Sequence, residues 1–153
     1  FTVYLVSGFT KVNDQSEINC LSTRGLFLRA NDFKEIGSFY PKLLPHYLSD
    51  YEFTIRAFNK GFNLLTTEKL MLKVNQETTG LHGIQFEGFK DYYKKYFSNR
   101  NASNPKHWLP FVILTTPYPY KVVNILRVFL MGLKGVLRPI RYLMTVLKSI
   151  TQL

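Results

Sequence analysis

The sequence predicts an α/β chain, a few strands of a mixed sheet followed by helices. Three observations predict it. Apolar residues alternate near the start, at Val3 and Leu5, and again at Leu70, Leu72 and Val74, which is the period of a strand. Between them lie two segments that open on polar residues and stop at a glycine, Asn31–Gly37 and Asp50–Gly61, as short helices do. From Phe86 the period changes. Phe86, Phe89, Tyr93, Tyr96 and Phe97 recur at helical spacing.

Taken in order, residues 2–12 read as a strand and Asn13–Glu17 as a polar turn. Residues 18–29 read as a second strand, interrupted at Arg24-Gly25 and resumed by the apolar run Leu26–Leu28. Asn31-Asp32 opens a short helix that Gly37 ends. Pro41–Ser49 is a loop. Asp50–Lys60 is a helix: Phe53, Ala57 and, less cleanly, Ile55 give it an apolar face. Ser49 stands where an N-cap would, with Glu52 three residues on, so S-x-x-E reads as a capping box. Gly61 fits the position just past the helix end. Asn63–Asn75 alternates well enough for a strand, and Gln76–Gly83 is a polar, glycine-containing loop able to close over a site. Ser98–Pro105 is a loop. His107–Tyr120 is apolar, but Pro110, Pro117 and Pro119 are expected to break it.

Composition limits the function classes. The chain of 153 residues is long enough for one core. A single cysteine excludes an internal disulfide framework, and Cys20 reads as a small core residue rather than a nucleophile. His46, His82 and His107 are too scattered in sequence for a metal-ligand spacing. Asn101-Ala102-Ser103 is a glycosylation triplet of a kind that arises often by chance. Phe1–Phe9 has no signal-peptide pattern and reads as a strand already under way, so a fragment is expected.

The charge is uneven. Net charge is +10; residues 1–85 hold nine Lys/Arg and eight Asp/Glu, whereas residues 86–153 hold eleven Lys/Arg and two acids, Glu87 and Asp91. The second part therefore calls for an anionic partner. Its aromatic stripe with Lys90, Lys94 and Lys95 reads as a packed helix face, not a platform for nucleic acid. In Val122–Leu153, Arg127, Lys134, Arg141 and Lys148 are spaced by seven, and Arg138 lies one turn from Lys134. Asn124, Thr145 and Gln152 extend that ridge, and nearly everything else is apolar. No run near twenty residues is free of charge, which excludes an ordinary membrane span. Two readings stand: a helix packed on its own domain, or a helix lying in a membrane interface with those five basic residues toward the headgroups.

Asp50 is the candidate for chemistry. It opens the helix Asp50–Lys60, where the helix N-terminus favours an anion. Local residues alone leave this as either a structural acid or a functional one. The surrounding pattern adds to it. Arg29, Phe33, Ile36, Gly37 and Phe39 spell R-x-x-x-F-x-x-I-G-x-F; after a loop, Asp50, Glu52, Arg56, Gly61 and Phe62 follow at a fixed spacing. Over roughly residues 20–75 this order resembles the second half of a bacterial, inverting family 2 glycosyltransferase of the GT-A type. Ser49 departs from the pattern, which usually has Glu there, while the acid taken as base is kept.

The resemblance implies the C-terminal half of a GT-A mixed sheet, followed by amphipathic helices. Residues 1–85 would be the acceptor-side part of a catalytic domain whose N-terminal half is missing, and residues 86–153 a basic, membrane-associating tail. It further implies a nucleotide-sugar donor, a saccharide or lipid-linked acceptor, and a role in cell-surface polysaccharide synthesis at the cytoplasmic face of the plasma membrane. A divalent metal, Mg or Mn, is implied too, with ligands not in this chain, which has no D-x-D motif apart from the Asp50-Tyr51-Glu52 spacing at the base position. The fragment alone is then not expected to catalyse transfer. Asp50 would be the base, with Glu52, Arg56, Arg24, Gly25 and His46 binding acceptor or supporting the site. The alternative is a non-enzymatic basic module that binds a membrane or a protein through residues 122–153.

Overall fold

The computed structural model describes residues 2–5, 8–11, 18–67, 69 and 87–150. These form five helices and one pair of antiparallel strands, so the α/β expectation is corrected. The architecture is mostly helical, and no mixed sheet of the GT-A kind stands among the described residues. Strand β1 (Thr2–Leu5) pairs antiparallel with β2 (Gly8–Lys11), Val3 opposite Thr10 and Tyr4 opposite Phe9. The single strand expected over residues 2–12 is thus corrected to two paired strands, 2–5 and 8–11.

The expected strand at 18–29 fails for a physical reason. A strand needs a neighbouring chain for its backbone groups. Here the hydroxyl of Thr54, on a helix, accepts from the Leu21 N–H and lies 3.0 Å from the Leu21 carbonyl. The chain then turns at Arg24-Gly25, with Gly25 at φ 75°. Residues 62–67, the start of the expected strand Asn63–Asn75, are irregular. The rest of that strand apart from residue 69, the loop Gln76–Gly83, His82, Phe86 and the turn Asn13–Glu17 lie outside the described residues.

Helix α1 (Ala30–Ile36) stops at Gly37, whose φ 94° and ψ 164° fall in a region essentially reserved for glycine. Helix α2 (Ser49–Asn59) ends in a Schellman motif: the Phe62 N–H reaches the Ala57 carbonyl (3.1 Å) and the Gly61 N–H the Phe58 carbonyl (2.9 Å). The two helices share a small core. Phe53 stacks on Phe33 (5.7 Å between centroids) and on Phe39 (4.6 Å), beside Ile36 and Ala57. A second, larger core joins Cys20, Leu44, Leu48 and Ile55 to Phe111, Val112 and Val128.

Helices α3 (Phe89–Tyr96), α4 (Pro105–Thr115) and α5 (Tyr120–Ile150) complete the described chain. Asn104 caps α4 by accepting from the Lys106 N–H at 3.0 Å, with Pro105 at the first helical position. Asn101 is 4% exposed and donates to the Tyr96 carbonyl at 2.7 Å, so the amide of the glycosylation triplet is spent on the fold. Pro110 does not break α4, contrary to expectation. The carbonyl it deprives of a partner is that of exposed Lys106, one turn back in the first turn of the helix.

Pro139 is likewise accommodated inside α5. A proline cannot bond the carbonyl four residues earlier, here Gly135. The Tyr92 hydroxyl donates to that Gly135 carbonyl at 2.7 Å, and Tyr93 donates to Val136 at 2.9 Å. Helix α3 is thereby docked on the orphaned turn of α5, and a side chain at Gly135 would run into the Tyr96 ring. Tyr92→Phe should leave the half-buried Gly135 carbonyl without this donor and cost roughly 1 kcal/mol. Urea unfolding followed by circular dichroism checks this; an unchanged midpoint would mean the bond contributes nothing.

Candidate functional site

The site is built around the first turns of α2. Leu48 precedes the helix with φ 68°, a left-handed conformation unusual for leucine. Its side chain is buried with Leu44, Ile55 and Phe111, which holds the backbone there. The consequence is local. The chain enters the helix at Leu48, so Ser49 is already helical and the expected capping box does not form. The Ser49 hydroxyl instead meets the His46 carbonyl at 3.4 Å, and Glu52 is turned to other work.

Residues 50 and 54 share one side of α2, and residues 52 and 56 the opposite one. The second side faces α1. Glu52, only 2% exposed, takes a two-pronged pair from Arg56: Nε to Oε1 at 2.8 Å and Nη2 to Oε2 at 3.0 Å. The same guanidinium donates to the carbonyls of Ile36 (2.6 Å), Gly37 (3.2 Å) and Ser38 (3.0 Å). These are the unpaired acceptors at the negative end of α1. The Tyr40 ring lies under the guanidinium at 4.8 Å. The hydrogen bonds that Arg56 donates to Glu52 hold it above its ordinary pKa, against burial. Gly37 is part of the device, since a Cβ there would stand 3.2 Å from Arg56 Nη1. Arg56 and Glu52 therefore support α2 from within, and Glu52 is closed off from solvent.

The first side carries Asp50. Its Oδ1 accepts from the Tyr51 backbone N–H at 2.9 Å, and the residue is half-buried. No cation pairs with it among the described residues. Thr54, one turn on, pins the segment around Leu21 beside this face. Burial first, then the Asp50 carboxylate and Cys20, push the Tyr51 phenol above its ordinary pKa, while Arg24 pulls it the other way. Arg24 and Asp50 thus lie within electrostatic reach of one phenol. Arg24, Gly25 and His46 are exposed, the last in the loop leading to Leu48, edge-on to Tyr47 at 4.7 Å. Asp50 thus stands on the side of α2 away from Glu52 and Arg56, with Arg24 in electrostatic reach of its neighbour Tyr51 and His46 in the loop that leads into the helix.

Three residues of this region were not expected from the sequence. Thr54 and Tyr51 carry no spacing signal of their own. His107, on α4, is 3% exposed with its Nε2 unbonded among the described residues. Burial, then the charges of His46 and Lys106, hold His107 below its ordinary value near 6.5. The folded protein thus binds this proton less readily than the unfolded chain. Stability should be fully present above about pH 6.5 and fall as pH drops from there toward the folded value. Melting temperature against pH, in the wild type and in His107→Gln, checks it; the same acid slope in both would place its cause elsewhere.

Among the described residues no group of three His, Cys, Asp or Glu side chains comes together to hold a metal. No helix among them is long and apolar enough to cross a membrane. Comparison with models of known families, with curated proteins and with solved structures found no match.

Proposed function

We propose that this chain supplies the acceptor side of an inverting glycosyltransferase. The complete enzyme would move a sugar from a nucleotide-sugar donor to a saccharide or lipid-linked acceptor, in cell-surface polysaccharide synthesis at the cytoplasmic face of the plasma membrane. The observation that carries this reading is the division of charge on α2. Glu52 and Arg56 neutralise each other and hold α1. Asp50 is left half-exposed at the helix start, with no cation paired to it among the described residues.

An inverting transfer is a single displacement. The acceptor oxygen bonds to the anomeric carbon, the bond from that carbon to the diphosphate oxygen breaks, and the diphosphate leaves with the electron pair. The acceptor hydroxyl proton must go to a base as the attack proceeds. Asp50 is that base in this reading, with Arg24, His46 and the open turn at Gly25 lining the acceptor side. The implied divalent metal at the departing diphosphate finds no set of ligands among the described residues, and this chain's share is proton removal and acceptor positioning. The test is sugar transfer by the complete enzyme from a panel of UDP- and GDP-sugars. Transfer that depends on Asp50 supports the reading, and transfer indifferent to Asp50→Asn overturns it.

A second reading is favoured by the exposed apolar strip of α5. In that reading the chain is a non-enzymatic module that binds a membrane. Vesicle binding by a complete protein that transfers no sugar from any donor would select it.

A further inference from the structure

We infer that the α4–α5 pair docks on an anionic bilayer through one half of α5, the half that its own fold leaves uncovered. The inference rests on the proposed function only for the place of the acceptor; the docking stands on the helix itself.

Helix α5 has two apolar sides with different fates. One is used by the fold. Val128 and Pro139 are buried, Gly132 packs on Pro105, and the carbonyls of Gly135 and Val136 receive Tyr92 and Tyr93. Asn124 belongs to this side too: it is buried, and so is no part of the exposed ridge expected from the sequence. The other side is open. Val122, Leu126, Phe129, Leu133, Ile140 and Met144 recur at spacings of three, four and seven, and all are exposed, Phe129 by 67%. An apolar strip of this length, exposed along both ends of the helix and half-buried between at Val136 and Leu137, is not left in water by ordinary soluble domains.

Charge decides the occupant. Arg127, Lys134, Arg138 and Arg141 are exposed and run along one margin of the strip; the side chain of Lys148 lies outside the described residues. No acid occurs anywhere after Asp91. A protein partner would have to answer a purely cationic margin with acids at matched places. An anionic lipid surface meets every one of these positions at once, and accepts the apolar strip at the acyl boundary. Tyr118, exposed at the turn into α5, is a residue type that favours the same boundary. The two sequence readings of this helix, packed on its domain or lying on lipid, are therefore both satisfied by one helix with two faces.

Sedimentation of the full chain with vesicles tests this, using phosphatidylcholine alone and phosphatidylcholine with one-third phosphatidylglycerol. Binding should be strong only to the anionic vesicles and should fall with salt. Replacing Arg127, Lys134, Arg138 and Arg141 together by Gln should weaken that binding on the order of 100-fold or more, since each basic residue near such a surface contributes about a factor of five. Leu126→Ser with Phe129→Ser should weaken binding to the same vesicles while helix content stays at the wild-type level. Equal binding to neutral vesicles, no binding to either, or indifference to the paired Ser substitutions would overturn the docking. So would a dimer of this chain that the Ser substitutions dissolve. The transfer assay is separate: lost docking with Asp50-dependent transfer intact overturns this inference alone, and intact docking without transfer overturns the proposed function alone.

Discussion

Arg56→Ala should destabilise the protein by about 3–5 kcal/mol. The substitution leaves the Glu52 carboxylate, 3% exposed at its side chain, buried without its cation. It also removes the donor for the three carbonyls at the end of α1 and the cation above the Tyr40 ring. Arg56→Lys should recover only part of this, because a single ammonium cannot span both carboxylate oxygens and the three carbonyls. Removing both charges, as Glu52→Gln with Arg56→Met, should cost less than Arg56→Ala alone. Chemical unfolding of the four proteins gives the ranking. If Arg56→Ala melts like the wild type, the clamp does not hold the helices together.

Asp50→Asn should lower turnover of the complete enzyme by roughly 100-fold or more, with donor KM nearly kept. A missing general base typically costs 10²–10⁴-fold, and the amide preserves the oxygen that the Tyr51 N–H bonds. A fall in kcat and in kcat/KM together would mark an interaction made in the transition state. A raised KM with kcat unchanged would make Asp50 a binding residue instead.

How much of this was legible depended on where the physics is local. The two short helices were, because their stops are chemical: Gly37 and Gly61 adopt positive φ and end α1 and α2. The helical spacing of Phe89, Tyr93 and Tyr96 marks α3, although Tyr92, which the fold buries with Tyr96, was not part of the stripe read from the sequence. The mixed sheet was misread because the apolar run at residues 18–29 says nothing about a partner strand, and at Leu21 the backbone groups go to the side chain of Thr54. The capping box was misread because Leu48, held left-handed by its burial among distant residues, shifts the helix start by one position. Pro139 stays inside α5 with a neighbour that a window of sequence does not contain, Tyr92, on the carbonyl it orphans; Pro110 stays inside α4 because the carbonyl it orphans is that of exposed Lys106 in the first turn. At the site, the motif residues were visible, and the i,i+4 spacing of Glu52 and Arg56 already sets that pair apart from Asp50, six residues before the arginine. What the spacing does not show is α1, whose last carbonyls take the rest of the Arg56 guanidinium.

The central claim is that the acids of α2 have separate jobs, Glu52 holding the fold and Asp50 the chemistry. The most direct test measures melting temperature and kcat together, in the complete enzyme, for Asp50→Asn and Glu52→Gln. The account predicts that Asp50→Asn keeps the wild-type melting temperature and loses at least about 100-fold in kcat. It predicts that Glu52→Gln melts several degrees lower, as expected when a buried pair is broken, and keeps kcat within a few-fold below its melting range. An Asp50→Asn enzyme that turns over at the wild-type rate, or one that loses its rate only by unfolding, would contradict it.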